Sequence, residues 1–543
     1  MPAGRTDGAP LSPRSTDSQV SYMSPFFPFL ARAVGLGLIC AQAGAQPAAP
    51  ALEPLPLGQP QLTQSITADT LLAPGVRYFR IQRGTVDRAE TWKLMSGVLT
   101  TTAEVTQTRK CFEDIGLEPT SSTFQIDDGL QRYDILSGGR YATRAVAQAT
   151  EARAQGMRCS LFARHSSDDE TNTFGPWLID VVTLAPDSTA SLSVLLGKQG
   201  PSLRTRTTTQ AKAAGALVAV NGGFFVMEEK HGGFPGQPTG ISIVDGRLNS
   251  GPAPLRPAVL INPGANPEVS IVRGMGLSAY LLWRDGSRTL IDGVNRRPGA
   301  IRNCGHDGQD RPIHDYTCNY EDDAVYFPPE SGFTATNLGT GAARFALSGT
   351  GSLRRLLGGT RPAAGEAVLA ITNASPRLGE VERQVASRQT AVFKAEGGAI
   401  DATRSGASLV NGGPTLLMAG QEVHDEVAEG WGIKVIDSPR QDLLVHDWVN
   451  RRNPRTAIGV KDDGTVLLVT VDGHRHDASV GLTLNELRRV MKALGARDAM
   501  NLDGGGSSAM VIGGRLINKP SDPSGERAVG DVIAIVPSRG GGQ

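Results

Sequence analysis

Residues 483–514 read TLNELRRVMKALGARDAMNLDGGGSSAMVIGG and contain the plainest structural signals of the chain. Thr483 and Glu486 have the spacing of a capping box, which predicts that a helix begins there. Apolar residues then recur at helical intervals along one face, and Gly495 is placed to end the helix. The stretch therefore predicts a helix over 483–495, followed by a short strand over 499–502.

The glycine-rich loop DGGGSS, residues 503–508, comes directly after this strand. The sequence SAMVIGGRLIN that follows predicts a hairpin turning on Gly513 and Gly514. The loop thus joins two strands, opens no helix and lacks the lysine of a nucleotide-binding P-loop, which argues against an ATPase or GTPase. An anion here would be held by loop N–H groups, by Ser507 and Ser508, and by a nearby cation.

One pattern occurs four times in this chain: an apolar strand ends in Asn or Asp, and Gly follows. The polar residues are Asn221 in ALVAVNGGFF, Asn411 in SLVNGGPTLL, Asp472 in TVLLVTVDGHRH and Asp503 in AMNLDGGGSS. A single Asn-Gly or Asp-Gly pair is an ordinary turn signal. Four such strand ends in one region indicate a binding cleft, because polar side chains there lie beside bare backbone.

Cationic side chains suited to a phosphate are also present. Arg455 comes just before a predicted strand, and Glu526 and Arg527 stand near the last one. Arginine matches the planar geometry of phosphate, although each of these residues could equally lie on the surface. His474 and His476 could titrate near neutral pH, but exposed loop histidines are commoner.

The composition is that of an ordinary globular protein. The chain has 543 residues, 39% hydrophobic and 20% charged, and its 66 Gly and 34 Pro predict many turns and short strands. This length suggests two to three domains. Its 54 basic residues balance its 54 acidic ones, so nucleic acid is a poor candidate partner.

The N-terminus predicts export. Residues 26–41, FFPFLARAVGLGLICA, form a short apolar stretch, and AGA at 43–45 predicts signal-peptide cleavage after Ala45, with Met1 or Met23 as the start. The stretch is too short and interrupted to span a membrane. A lipoprotein at Cys40 is disfavoured, because Ile39 is bulky where such signals need a small residue. We therefore expect a secreted or periplasmic protein.

Four cysteines remain after the signal: Cys111, Cys159, Cys304 and Cys318. Four cysteines in an exported chain indicate two disulfides, with three pairings possible. We favour 111–159 and 304–318, because short loops close more easily. Free buried cysteines are the alternative, and the spacing matches no zinc motif.

Composition divides the chain further. Residues 46–75 are rich in Pro, Ala and Gln and predict a linker, and residues 76–173 comprise strands with a small α+β unit at 96–165. Within this unit, YDILSGGRYATRAVAQATEARAQGMRCSLF (133–162) resembles a SPOR-type peptidoglycan-binding repeat. A generic βαβ packing unit is at least as good an interpretation. Peptidoglycan is therefore a candidate partner of 96–165.

Residues 174–537 predict a strand-rich, mixed-sheet catalytic domain with few helices, followed by a flexible tail at 538–543. The fold class is therefore α+β, with the small α+β unit as an insertion. Residues 296–332 form a long polar insertion flanked by Cys304 and Cys318. Its Asp and His residues allow a metal site, but their scatter favours a disulfide-closed surface loop.

Several motifs together resemble the phosphodiester glycosidase family. They are VAVNGGFF, NGGPTLL, NPRTAIGVKDDGTVLLVTVDG, LTLNELRRVMKALGARDAMNLDGGGSSAMV and NKPSDPSGERAVGDVIAIV. The resemblance extends over roughly 175–537 and is most specific over 453–531. It implies a hydrolase that cleaves the glycosidic bond of a sugar 1-phosphodiester. Spacing departs from the family over 260–400, where we expect the loops that select the substrate.

The resemblance implies roles for the strand-end residues. Two carboxylates flanking an oxocarbenium-like centre are usual in glycoside cleavage, and Asp472 with Asp503 is the obvious pair, with Glu526 in reserve. Their separate roles, and retention or inversion, stay open. The phosphate and sugar ligands would come from Asn221, Gly222, Asn411, Gly412, Arg455, Thr456, Gly504, Gly505, Gly506, Ser507, Ser508 and Arg527. No cofactor is required, although a bridging Ca²⁺ or Mg²⁺ is possible chemistry.

Two functions from different classes thus follow. The first is an exported hydrolase acting on an N-acetylglucosamine-like sugar 1-phosphodiester in a cell-surface or extracellular glycoconjugate. The second is a non-catalytic envelope protein that binds peptidoglycan or polysaccharide through 96–165. A structural part in exopolysaccharide assembly is a third, weaker option.

Overall fold

The computed structural model describes residues 52–126, 131–169, 173–197, 204–253, 255–263, 268–304, 313–331, 338, 341–432 and 445–537. The predicted signal peptide, with Cys40 and Ala45, and the tail at 538–543 lie outside these residues. The described chain is strand-rich, with several sheets and few helices. The predicted α+β class is confirmed.

The largest sheet among the described residues, the large sheet, has eight strands. Their order is Gln64–Ala73, Val76–Arg83, Trp177–Leu184, Val466–Val471, Arg455–Val460, Asp498–Asn501, Thr415–Met418 and Gln421–Glu422. Neighbouring strands are antiparallel throughout. The sequence thus brings the segments before and after its midpoint into one sheet.

Both faces of the large sheet are covered, which explains why its central strands are apolar at almost every position. On one face, Leu467 and Val469 pack against the helix Leu484–Ala493. On the other, Leu468 and Ile458 pack against two smaller sheets. A strand buried on both faces reads as a continuous apolar run and shows no alternation.

These two smaller sheets carry the strand ends that matter below. The second sheet has the order Arg515–Leu516, Met510–Ile512, Val218–Asn221, Asp531–Pro537 and Ala190–Leu196, and the third has Arg247–Ser250, Ser242–Val244, Ser408–Asn411, Ala258–Asn262 and Glu268–Val272. Asp503 therefore follows a strand of the large sheet. Asn221 is the last residue of a strand in the second sheet, and Asn411 is the last residue of a strand in the third sheet.

The remaining strands are peripheral to the site. A three-stranded sheet has the order Arg288–Ile291, Ser278–Trp283 and Ala391–Glu396, and a five-stranded sheet has the order Gly293–Val294, Ala324–Phe327, Ala367–Thr372, Ala342–Leu347 and Leu353–Leu356. Two further sheets have two strands each: Ala300–Arg302 with Thr317–Asn319, and Ala528–Val529 with Thr205–Arg206. Further α-helices are Thr207–Ala214, Pro376–Ala386 and Gly398–Ser405, and 445–449 forms a single helical turn. Short 3-10 or π turns occupy Ser166–Asp168, Glu229–His231, Pro329–Ser331, Val427–Trp431 and Gly505–Ser507.

The predicted small unit forms a separate four-stranded sheet with two helices. Along the chain its elements are Trp92–Ser96, Thr102–Asp114, Thr120–Ile126, Gln131–Tyr141, Arg144–Gly156 and Leu161–His165. The order strand–helix–strand–strand–helix–strand is the split βαβ arrangement, which serves many unrelated functions. The resemblance of 133–162 to a SPOR-type repeat therefore stays a prediction.

Both faces of the sheet in the small unit are covered. Leu94 and Leu136 pack under its helices with Phe112. On the opposite face, Met95 and Ile135 belong to the same core as the strands of the large sheet. The unit is thus packed onto the main body and does not stand apart from it.

The predicted N-terminal boundaries need correction. Residues 46–75 were expected to be a linker, but Gln64–Ala73 is a full strand, because it pairs with Val76–Arg83. Val76–Arg83 in turn pairs with Trp177–Leu184. The first two strands therefore extend the large sheet and do not belong with the small unit, which spans 92–165.

The helix predicted over 483–495 is confirmed as Leu484–Ala493. Thr483 Oγ1 accepts a hydrogen bond from the Glu486 N–H at 3.1 Å, and the Glu486 carboxylate accepts one from the Thr483 N–H at 3.0 Å. Gly495 has a φ of 88°, a left-handed conformation that glycine adopts readily. The loop and hairpin after it, turning on Gly513–Gly514, also match the prediction.

Both predicted disulfides form. Cys111 pairs with Cys159 across 48 residues and closes the small unit, and Cys304 pairs with Cys318 across 14 residues. Two disulfides fit an exported protein. None of the helices among the described residues has the length and apolar character needed to cross a bilayer.

Loss of each disulfide should destabilise the fold, and loss of the one that closes the longer loop should cost more. In the chain-entropy model, the double variant Cys111→Ala/Cys159→Ala loses about 4 kcal/mol and Cys304→Ala/Cys318→Ala about 3 kcal/mol. Urea denaturation of both variants beside the wild type measures this order. Equal stability of wild type and the 111/159 variant would contradict the expectation.

Candidate functional site

A cavity of about 220 Å³ lies where the ends of strands from the three sheets meet. Its lining residues are Phe224, Phe225, Met227, His314, Asp315, Trp448, Asp503, Gly504, Gly505, Gly506 and Arg527. It therefore combines a carboxyl group, a glycine backbone, an arginine and an aromatic wall, which is the usual composition of a small-molecule site.

Asp503 stands two residues after the strand Asp498–Asn501 and is half-buried at the cavity. Its Oδ1 accepts a hydrogen bond from the Gly504 N–H at 2.9 Å. Burial raises the pKa of Asp503 to about 7, against the opposing effects of the Ser507 hydroxyl and the Arg527 charge. A carboxyl group that titrates near neutrality suits proton transfer.

The glycine-rich loop crosses from the large sheet to the second sheet, and its glycines permit close packing. Gly505 has a φ of 57° and faces open space, which leaves its backbone accessible. A Cβ at Gly504 would lie 2.9 Å from the Trp448 ring, and one at Gly506 would overlap the side chains of Asp522 and Arg527. The loop can therefore lie directly against the cavity wall only with glycine.

Arg527 places a positive charge beside the loop. Its guanidinium makes two hydrogen bonds of 2.7 Å to Asp522, and its Nη1 donates to Ser507 Oγ at 3.3 Å. Such a fork holds the arginine in a fixed orientation. Since the Gly504 N–H donates to Asp503 and the Gly505 N–H to the Pro454 carbonyl, Arg527 and the Gly506 N–H are the groups suited to an anion such as a phosphate.

Phe224, His314 and Trp448 form an aromatic wall of the cavity, and the buried Trp431 packs against them. The rings of Trp431 and Trp448 are stacked with centroids 5.6 Å apart, His314 stacks on Trp431 at 3.8 Å, and Phe224 meets His314 edge-on at 5.0 Å. Flat aromatic faces provide apolar contact for a ring-shaped ligand.

His314 is held as a neutral imidazole. Burial lowers its pKa well below the usual value. Arg256 Nη2 lies 2.8 Å from His314 Nδ1, and since arginine can only donate, Nδ1 accepts and the ring proton sits on Nε2. The Arg256 guanidinium also lies 4.7 Å from the centroid of the Trp431 ring. Arg256 therefore contacts both rings of the His314–Trp431 stack.

Asp315 is the second carboxylate that lines the cavity. It forms an ion pair of 2.6 Å with Arg302. Burial alone would raise the pKa of Asp315, but the charge and the hydrogen bond of Arg302 hold it below its usual value. The two carboxyl groups of the cavity therefore have pKa values shifted in opposite directions, an arrangement that separates acid and base roles.

The predicted ligands Asn221, Asn411 and Thr456 lie beneath the cavity, not in its lining. All three are buried. Asn221 Nδ2 donates to the Asp503 carbonyl at 2.6 Å, and its Oδ1 accepts from Thr456 Oγ1 at 2.7 Å. Asn411 Oδ1 accepts from the Phe224 N–H at 3.1 Å. These side chains hold the cavity residues in place.

The two turn glycines that follow these asparagines, Gly222 and Gly412, are packed against backbone. The Gly222 N–H donates to the Asp531 carbonyl at 3.0 Å, and the Gly412 N–H to that of Pro257 at 3.1 Å. Ser507 and Ser508 are buried in the loop. Ser507 borders the cavity through its contacts with Asp503 and Arg527, and Ser508 does not line it.

Asp472, the expected partner of Asp503, does not line the cavity. It is 3% exposed, and its Oδ1 accepts from the Lys519 N–H at 3.0 Å and from Asn518 Nδ2 at 3.2 Å. Arg475 lies 3.6 Å from its Oδ2. Its carboxylate therefore connects the end of the strand Val466–Val471 to the segment 518–519.

Arg455 and Glu526 are likewise engaged elsewhere. Arg455 donates to the carbonyls of Leu482 at 2.8 Å and Trp448 at 2.6 Å, and burial lowers its pKa to about 9. Glu526 accepts from the backbone and hydroxyl of Thr208, at 2.8 and 2.6 Å, where the helix Thr207–Ala214 begins. Neither is among the cavity residues.

His474 and His476 also lie away from the cavity. His474 Nε2 is 3.1 Å from Asn453 Oδ1, and His476 Nε2 is 2.9 Å from Asp168 Oδ1. Among the described residues, no three His, Cys, Asp or Glu side chains are grouped in a way that could hold a metal ion. The metal alternative for 296–332 extends to 305–312, which lies outside the described residues.

The sequence did not single out Phe224, His314, Asp315 or Trp448. His314 and Asp315 lie in the polar insertion 296–332, between Cys304 and Cys318. Two short sequence patterns could have indicated some of these residues: the His-Asp pair at 314–315 and the Phe-Phe pair at 224–225, after Asn221. Trp448 had none, because its place depends on contacts with distant segments.

Comparison with known proteins supports the expected resemblance. Residues 332–536 match the family model of phosphodiester glycosidases. The match includes Trp448 and the glycine-rich loop but begins after the strand that carries Asn221, although the resemblance was expected from about 175.

Three relatives show how far the likeness extends. The structure of a protein of Burkholderia pseudomallei K96243, described as exported, covers 91% of this chain and 100% of its own at 32% identity and a TM-score of 0.77. The SPbeta prophage-derived protein YomE of Bacillus subtilis strain 168 is 39% identical over 107 residues, 19% of this chain and 16% of its own. Mouse N-acetylglucosamine-1-phosphodiester alpha-N-acetylglucosaminidase is 37% identical over 75 residues, 14% of each chain.

The chain thus aligns with about a sixth or less of the length of these two curated relatives. By contrast, it aligns with the whole length of the solved Burkholderia structure. The segment shared with the family model holds Asp503, Gly504–Gly506 and Arg527, which the cavity brings together. Residues 332–536 of this chain are thus similar to the phosphodiester glycosidase family.

Proposed function

We propose that this protein is an exported hydrolase that cleaves the glycosidic bond of a sugar 1-phosphodiester. The observation that carries the proposal is the placement of Asp503, with its pKa of about 7, in one cavity with Arg527 and the glycine loop. The family match of 332–536 agrees with this chemistry. The substrate is an N-acetylglucosamine-like phosphodiester in a cell-surface or extracellular glycoconjugate.

In the proposed complex, the phosphate lies against Arg527 and the N–H group of Gly506, since the Gly505 N–H already donates to the Pro454 carbonyl at 2.9 Å. The sugar ring packs on Trp448 and Phe224, which form the adjoining wall. This orientation would place the anomeric centre near Asp503. The positive charge and the Gly506 N–H would also stabilise the phosphate as it leaves.

The reaction breaks the bond between the anomeric carbon and the phosphate oxygen. Protonated Asp503 donates its proton to that oxygen, and a water molecule adds its hydroxyl to the anomeric carbon. The ionised Asp315 accepts the remaining water proton. Since a departing phosphate monoester has a second pKa of about 6, an acid with a pKa of about 7 is well matched to it.

Export is part of the proposal. It is supported by the apolar N-terminal stretch before Ala45 and by the two disulfides. The second function, peptidoglycan binding through 96–165, has less support, because both faces of the sheet in that unit are covered.

Substitution of Asp503 should remove catalysis while that of Asp472 should not. With a methyl phosphodiester of N-acetylglucosamine, Asp503→Asn is expected to lower kcat about 100-fold or more, because the proton donor is lost. Asp472→Asn is the matched control. It is expected to keep kcat within a few-fold but to lose about 1–3 kcal/mol of stability, since it weakens a buried hydrogen-bonded group.

Sugar release measured by chromatography and thermal melting followed by circular dichroism give the two readouts. If wild-type protein releases no sugar, or if Asp503→Asn turns over as fast as wild type, the proposed function is wrong. A loss of kcat in Asp472→Asn without a loss of stability would instead indicate that Asp472 takes part in catalysis.

The pH dependence of kcat/KM should report the Asp503 carboxyl group. The acid form of a group with pKa about 7 predominates below that pH, so kcat/KM is expected to fall roughly tenfold per pH unit above pH 7. Initial rates between pH 5 and 9 test this, with Asp503→Asn expected to lack the same limb. A rise of kcat/KM through pH 7 would show that Asp503 works as a carboxylate.

A further inference from the structure

We propose that the small α+β unit is a structural part of the active site, because it holds the helical turn 445–449 that carries Trp448. This inference rests on the proposed function, since it takes the cavity with Asp503 as the active site. It assigns Tyr133 and His446 as positioning residues. Neither lines the cavity, and both act through Trp448.

The turn 445–449 cannot hold its own position. It contains one helical turn, whereas isolated helices shorter than about 12–15 residues are marginal in water. Its orientation must therefore come from packing. Trp448 projects from this turn into the cavity, and its neighbours on the turn face other parts of the protein.

Tyr133, on the strand Gln131–Tyr141 of the small unit, contacts two residues at the turn. The Tyr133 hydroxyl accepts a hydrogen bond from Asn450 Nδ2 at 2.7 Å and lies 2.8 Å from His446 Nδ1. Burial lowers the pKa of His446 to about 4, so its ring is neutral and Nδ1 can accept the hydroxyl proton. One hydroxyl thus connects both ends of the turn to the small unit.

Other contacts of the small unit hold the same turn. Arg164 Nη2 lies 3.1 Å from Asp447 Oδ2, and the Phe124 ring meets the His446 ring edge-on at 4.8 Å. The apolar residues Val445 and Val449 belong to the core that also contains strand residues of the small unit. Three successive residues, 445–447, and Val449 are therefore placed by contacts that include this unit or its core.

The main body supplies the other half of the support for Trp448. Arg455 Nη2 donates to the Trp448 carbonyl, and the guanidinium lies 4.9 Å over its ring. The Trp431 ring stacks on the Trp448 ring, with an interplanar angle of 13°. The Trp448 ring thus contacts two partners from the main body, while residues next to it on the turn are held by the small unit.

The consequence is that a change in the small unit should reach the cavity. Replacing Tyr133 with Phe leaves its ring in the core but removes the partner of two buried polar groups, His446 Nδ1 and Asn450 Nδ2. Loss of a buried partner is costly, and the turn can relieve it only by moving. Trp448 would move with it.

The test labels the protein with 5-fluorotryptophan and records fluorine NMR spectra. The chain has five Trp residues, and Trp448→Phe assigns the resonance of interest. Tyr133→Phe is expected to shift or broaden the Trp448 resonance. Tyr141→Phe is the matched control in the same unit, because the Tyr141 hydroxyl is buried without a hydrogen-bond partner among the described residues, and it should leave that resonance unchanged.

The same variants are then assayed for hydrolysis. Because Trp448 contacts the sugar before and during reaction, Tyr133→Phe should raise KM about tenfold with little change in kcat. Arg164→Gln, at a partly exposed position, is a second variant should Tyr133→Phe not fold, and it should move the Trp448 resonance in the same way.

The outcomes separate the two proposals. An unchanged Trp448 resonance in Tyr133→Phe, or in Arg164→Gln if only that variant folds, overturns the positioning role whether or not hydrolysis is found. A shifted resonance in a wild-type background that cleaves no sugar phosphodiester leaves the positioning role standing and refutes the proposed function. Equal shifts of all Trp resonances would indicate general loosening and would also overturn the proposal.

Discussion

The side chain of Asn221 is the interaction on which the candidate site depends. It ends a strand of the second sheet, donates to the Asp503 carbonyl, and accepts from Thr456 of the large sheet and from the Ala509 N–H. Both ends of the glycine-rich loop are therefore tied to one buried amide. Because an unpaired buried amide costs about 1–3 kcal/mol, the three contacts hold two sheets in one register.

A fixed loop backbone explains the chemistry of Asp503. The carboxyl group is held by the Gly504 N–H and the Ser507 hydroxyl, and it is partly desolvated beside the aromatic wall. Desolvation disfavours the charged form and raises its pKa, and the Arg527 charge offsets only part of this effect. The same rigidity places the backbone of Gly504, Gly505 and Gly506 against the cavity. The buried Asn221 and the cavity residue Asp503 are thus parts of one arrangement.

Local signals in the sequence predicted much of this fold. The capped helix at Leu484–Ala493, the loop between two strands, the small unit and both disulfides follow from patterns within short segments. The roles of polar strand ends do not, because Asn221, Asp472 and Asp503 have the same local pattern. Only the partner segment decides whether such a side chain faces a cavity or another sheet. Trp448 depends entirely on such distant contacts.

In the proposed complex, an anionic ligand beside Arg527 would also affect the protonation of Asp503. Arg527 is bound to Asp522, so its charge is partly compensated before any ligand arrives. A phosphate beside it would bring negative charge near Asp503, and a negative neighbour disfavours ionisation of a carboxyl group. Binding of the substrate would therefore raise the pKa of Asp503 further and keep its proton in place. The leaving group would thus help to maintain the protonation state that its own departure requires.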